Sequence, residues 1–146
     1  GTNPPNIDGK YFITPPLLVS SNFDDNISPG YEFIDIIVTF SDWEKGSSDI
    51  TIQIEEVGKS LGTAMGSYIS GVGNDFTVYV LIDVTDEKDH TYTTTQVFSG
   101  TWTEDGIKDL QLSIFMVDDK GDPNDEYIEN GEGRLIEDGD GFSEKI

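Results

Sequence analysis

Two short acidic stretches that carry glycines are the parts of this chain best suited to chemistry. Asp118, Asp119, Asp122 and Asp125 fall within one loop, and Asp138-Gly139-Asp140-Gly141 form a second, flanked by Glu137 and Glu144. Clustered carboxylates with glycines that let the backbone wrap around a hard cation suit Ca2+, which makes Asp118, Asp119, Asp122, Asp138 and Asp140 the candidate ligands. Neither stretch has the spacing of the helix-flanked calcium loop of about 12 residues, and too few residues follow Asp138 to complete one. The plain alternative is a pair of solvated acidic turns. Ca2+ is the one candidate cofactor.

Other chemistries find little to work with. His90 is the only histidine, in a turn beside Asp89 and near Lys88, where a solvated side chain is expected and nothing marks a serine partner. There is no cysteine, hence no thiol nucleophile and no disulfide framework, and with one histidine a zinc site has no ligand set. Gly71-x-Gly73 lacks the third glycine, the lysine and the helix of a phosphate loop, and reads as a hairpin. The 29 acidic side chains contain many carboxylate pairs, with no reason to choose one as a glycosidase pair. No catalytic residue emerges, and a non-enzymatic protein is expected. Trp43 and Trp102 lie at or near loops, where exposed aromatics beside acids can stack on sugar rings, so both are candidate ligand contacts. Their plain reading is core or cross-strand packing.

Charge excludes some partners. With 29 acidic against 8 basic residues the net charge is −21, which repels phosphate backbones and anionic headgroups. Nucleic acid and peripheral membrane binding are therefore not expected. No apolar run reaches the roughly 18 residues a membrane helix needs, so the polypeptide reads as soluble. The opening Gly1-Thr2-Asn3-Pro4-Pro5-Asn6 has the look of a mature N-terminus, with a removed export or lipidation signal as the expectation.

The elements that must position these groups are strands. From Phe76 to Val84 every even residue is large and apolar, the period-2 signature of a strand with one buried face. Such a strand cannot offset its own ordering entropy, so it must sit centrally under a second layer. Ile50, Ile52 and Ile54 alternate with Thr51, Gln53 and Glu55, where a one-residue slip would bury Gln53 and Glu55. Tyr31 to Phe40, Ala64 to Ser70, Thr91 to Ser99 with Thr101 to Thr103, Ile107 to Val117 and Gly133 to Glu137 add further strands, with a bulge or bend at Gly100. Lys10 to Thr14 and Leu17 to Val19 read as edge pieces interrupted by Pro15-Pro16. Asp118 to Glu132 is an acidic loop without a regular pattern. The expectation is one all-β antiparallel domain of seven to nine strands over residues 10–146, a sandwich or a closed barrel, behind a flexible lead-in at 1–9.

Two stretches carry a family resemblance. Ser28-Pro29-Gly30-Tyr31-Glu32-Phe33, running through Phe40 to Ser41-Asp42, resembles the second-strand signature of immunoglobulin-like sandwich domains in bacterial surface proteins. Leu110 to Val117 with Asp118-Asp119-Lys120-Gly121-Asp122 looks like the penultimate strand and turn of the same fold. The whole chain is also similar to small exported lipoproteins of uncharacterised function common in gut Bacteroidetes. That likeness implies a β-sandwich acting as a binding or scaffolding module in the outer membrane, on the surface or in the periplasm of a Gram-negative bacterium, held by a lipid anchor on a removed N-terminal residue. Its partner would be a protein or carbohydrate at the cell surface. No cysteine pair and no mid-strand tryptophan are present, so antibody-type packing is not implied. The alternative is a calycin, lipocalin-like barrel: Gly9-Lys10-Tyr11 resembles the opening element of that family, and Arg134, the only arginine, sits on the last strand where such barrels lay an arginine over that ring. This would imply a carrier with an internal cavity for a small apolar ligand. Arg134 itself reads as structural, through cation–π contact or carboxylate pairing.

Overall fold

Alternating apolar and polar residues become hydrogen-bonded ladders wherever the pattern is sustained, and no helix occurs among the described residues. The computed structural model describes residues 3–146, the side chains at 63, 65 and 66 excepted. The strands are β1 (Gly9–Ile13), β2 (Pro16–Ser21), β3 (Ile36–Ser41), β4 (Thr51–Glu56), β5 (Ser60–Val72), β6 (Asp75–Asp86), β7 (Thr91–Thr103), β8 (Gly106–Asp118), β9 (Gly133–Asp138) and β10 (Phe142–Lys145). They form one antiparallel sheet of order β10-β1-β3-β4-β5-β6-β7-β8-β9-β2, in which β10 also pairs with β8. This is the expected all-β, sandwich-like antiparallel fold. Its layers meet where Phe40 of β3 packs on Phe76 of β6 and Phe98 of β7, with ring centroids 6.2 and 5.8 Å apart.

Ten strands occur among the described residues where seven to nine were expected, and the added one is β10, set off from β9 by the turn at Gly139 to Gly141. The four residues of β10 are too few to show a period in sequence. Yet β10 lies between β8 and β1 and ties the two layers together along one side. β1 is accordingly flanked on both sides, by β10 and β3, while among the described strands β2 ends the sheet, bridged at Leu17 to Glu32. Glycine at 106 permits the β8–β10 approach: a Cβ there would run into the Ser143 carbonyl oxygen and would stand 2.8 Å from the Phe142 ring. Gly106→Ala is expected to destabilise by about 1–3 kcal/mol, as overpacking does. Amide exchange should quicken at Ser143 to Lys145 before it does in β6. Unchanged protection there would refute this account of the closure.

The inward rows are Ile36, Val38 and Phe40 of β3, Ile52 and Ile54 of β4, Phe76 to Val84 at even positions of β6, and Leu110, Leu112 and Met116 of β8, all buried. The Gly100 bend is a register shift between Ser99 and Thr101. Residues 3–8, expected as a lead-in, are seated in the fold. Ile7 is fully buried, its carbonyl accepts the Tyr11 hydroxyl at 2.8 Å, and Asn3 N donates to Gly71 O. Because consecutive strands from β3 to β8 pair as a meander, the β3–β4, β5–β6 and β7–β8 turns share one end with Trp43 and Trp102. The other end carries the β4–β5 and β6–β7 turns and the loops 22–35 and 119–132.

Candidate functional site

Strand parity sets Tyr92, Thr94, Gln96 and Phe98 of β7 inward, and two of these four are polar. Gln96 is only 4 % exposed; its Nε2 donates to Thr94 Oγ1 at 3.1 Å, while its Oε1 has no partner. The register places Gln96 between Val80 of β6 and Ile114 of β8, so the amide is held within an apolar row. Nearer the loop end, Ile36, Glu56, Ser60 and Asp86 follow one another as cross-strand partners on β3 to β6, which makes that rung largely polar.

Around these groups the loop end of the core leaves space that is partly open at the rim, where Ile34, Lys59 and Glu126 line it. A cavity of about 130 Å³ lies beneath the 119–132 loop, and a narrower space of about 40 Å³ reaches Gln96; Ile36, Glu56, Tyr92, Thr94 and Ile114 line both. A roughly 150 Å³ apolar cavity takes one benzene, whereas drug-sized ligands need about 300–1,000 Å³. The space therefore suits a single ring and is too short for a lipid chain. A larger hollow of about 360 Å³ between Asp109 and Gly141 is an open exterior groove with no orphaned buried side chain aimed into it.

The loop expected to lack regular structure is the roof. Met116 N donates to Glu132 O and Gly131 N to Met116 O, both at 2.9 Å, which folds the segment back. Tyr127 and Ile128 then pack on the core, and the Tyr92 and Tyr127 rings stand 4.4 Å apart. His90, expected to be solvated, is instead half-buried in this stack, 5.9 Å from the Tyr127 ring, with Nε2 2.8 Å from Asp119 O. The reason is the returning loop, which local sequence does not announce. The Tyr127 hydroxyl donates to Asp86, and that bond holds the Asp86 carboxyl below its ordinary pKa. Burial, with the same bond, pushes the Tyr127 hydroxyl up; burial and the nearby Glu56 charge do so for Tyr92. Lys88 pairs with Glu126 at the rim.

Arg134 braces one wall. Its Nε and Nη2 donate to the Asp25 carboxylate at 2.8 and 2.9 Å, and its guanidinium lies over Phe23 and Phe33, 5.7 and 5.8 Å from the centroids. Both structural roles expected of it are present, but the rings are these two and not Tyr11.

The candidate calcium ligands do not converge. Among the described residues no three acidic or histidine side chains form a metal-holding group. Their oxygens cap nearby main chain: Asp118 accepts from Lys120 N at 3.0 Å, Asp119 from Gly121 N at 3.0 Å, and Asp122 from Glu126 N and Tyr127 N at 2.9 and 3.0 Å. Asp140 accepts from Phe142 N at 3.0 Å. Asp138 is buried and bridges the two interrupted strands, accepting from Ser143 Oγ at 2.9 Å and Thr14 N at 3.3 Å. Burial, with Asp140 adjoining, pushes its pKa up to about 6. Because the raised value means the fold prefers the protonated acid, this contribution is complete below about 4 and is lost as pH rises through about 6. Asp138→Asn is expected to flatten a loss of about 1–2 kcal/mol between pH 4 and 8, since the lowered pKa of adjoining Asp140 offsets part of the shift. Parallel wild-type and variant curves of urea midpoint against pH would refute it.

Trp43 and Trp102 lie at the opposite end from the cavity, half-buried and packed on the core, and Trp43 Nε1 donates to Ser47 O at 2.8 Å. Trp102 Nε1 is buried there without a hydrogen-bond partner. No family model, curated protein or solved structure matches the chain.

Sequence reading passed over Gln96, Thr94, Glu56 and Tyr127. For Thr94 and Gln96 a signal existed: they share parity with Phe98, so they are polar residues in an inward row. Gln96→Leu is expected to stabilise by about 1–2 kcal/mol, since it removes an orphaned buried acceptor. Urea unfolding checks this; a loss of stability would mean that the amide is satisfied in solution.

Proposed function

We propose that this domain is a non-enzymatic binding module that carries one small, mostly apolar molecule, about the size of a single ring, in the cavity at its loop end. The observation that carries this reading is a space at the loop end of the core, partly open at its rim, with a buried acceptor left open in its narrow part. An unpartnered polar atom costs stability, so its retention fits a site that a ligand completes. The lipocalin-like alternative is favoured in kind, at a smaller ligand size. Export to the surface or periplasm of a Gram-negative bacterium, with a lipid anchor, remains part of the reading on the resemblance alone, and cell fractionation tests it.

Dissolved xenon or toluene, followed by methyl NMR, tests the cavity. Shifts are expected at Ile36, Ile114 and Met116; shifts confined to the exposed methyls of Leu81 and Val117, or none, would sink the reading. One observation favours recognition of a protein or glycan instead. Tyr68 and Tyr79 are cross-strand partners on the outer face, 43 % and 49 % exposed, with ring centroids 6.2 Å apart.

A further inference from the structure

We propose, resting on that cavity reading, that the occupant is a small apolar amine whose ammonium group enters the narrow space between Gln96 and Glu56. Two independent features select a donor. Gln96 Oε1 is a buried acceptor without a partner, and Glu56 is among the residues that line the same 40 Å³ space. An ammonium there would supply a donor to the amide oxygen and a counter-charge to the carboxylate, and charge-assisted hydrogen bonds are roughly twice as strong as neutral ones. A carboxylate head would meet repulsion from Glu56 and a lone-pair clash at Oε1.

The cations nearby do not occupy this position. Arg134 is spent on Asp25 in a two-pronged pair, Lys88 is held by Glu126, and Lys59 reaches Glu56 only at 3.6 Å from an exposed position, an arrangement that exchanges readily. The Tyr92 ring adds a face that attracts cations, and the net charge of −21 biases the whole surface towards a cationic ligand. The apolar body of the ligand then fills the wider space against Ile114 and Met116.

NMR titration of the full chain at pH 7 with benzylamine, benzyl alcohol and benzoate tests this. Benzylamine is expected to bind about tenfold more tightly than benzyl alcohol, with shifts at the cavity methyls, and benzoate is expected not to saturate. Gln96→Leu and Glu56→Gln should each weaken benzylamine about fivefold or more while keeping the wild-type spectral dispersion. If benzyl alcohol or benzoate matches benzylamine at the cavity methyls, or if Gln96→Leu binds it unchanged, the amine inference is overturned and the cavity reading stands. If none of the three probes perturbs the cavity methyls, both fall.

Discussion

Phe40→Ala is expected to lower unfolding stability by about 4 kcal/mol, within the roughly 3–5 kcal/mol seen when a buried aromatic is truncated. Phe40 is 1 % exposed and touches three other rings, Tyr11, Phe76 and Phe98, at 6.0, 6.2 and 5.8 Å. It is the side chain through which β3 meets β6 and β7, so the void left behind sits between two hydrogen-bonded layers that cannot both collapse into it. Urea unfolding with an unchanged m-value measures the effect. A loss below about 1.5 kcal/mol, the range of a volume-conserving swap, would show that the layers are not held together at this point. Because Phe40 belongs to the filled end, toluene-induced shifts at Ile114 and Met116 should survive the substitution.

Arg134→Met should cost about 2–3 kcal/mol for a different reason. Breaking a fully buried pair from one side destabilises by about 3–5 kcal/mol, because the remaining charge is left without a partner, and this pair is part-buried. Here that charge is the Asp25 carboxylate, whose side chain is 5 % exposed. Asp25 stands well below the usual range, at about 2, chiefly through its hydrogen bonds from Arg134. A lowered carboxylate pKa contributes stability that is complete above about 4 and lost as pH falls through about 2. The gap between wild type and Arg134→Met is therefore expected to be widest near neutrality and to narrow as pH falls from 4 towards 2. A gap independent of pH would assign the loss to the contacts with Phe23 and Phe33 alone. The double replacement Asp25→Leu with Arg134→Met should recover much of the stability, as replacement of buried ion pairs by apolar residues often does. It would also remove the brace on the cavity wall.

Most of the fold was legible because strand register is written in period 2. Phe76 to Val84 in β6, and Ile52 and Ile54 in β4, point where their spacing says, since slipping by one residue would bury Asp83, Gln53 or Glu55. Strand ends were less legible. Tyr31 to Ile34 continue the apolar run yet lie outside β3, with Tyr31 and Ile34 about half exposed, because residues 30–33 hydrogen-bond instead to Pro16 and Leu18 of β2.

The amino-acid order by itself determined an all-β antiparallel domain, its inward rows, the lack of thiols and the single histidine, and a structural arginine, because each depends on residue type and local spacing. Only the tertiary structure decided that four C-terminal residues would join β8 to β1 and that an acidic loop would return as a roof over Tyr92. It alone left room beside Gln96. These outcomes rest on contacts between residues far apart in the chain, and a void is a property of how side chains from many strands fill a common volume, which no single segment encodes.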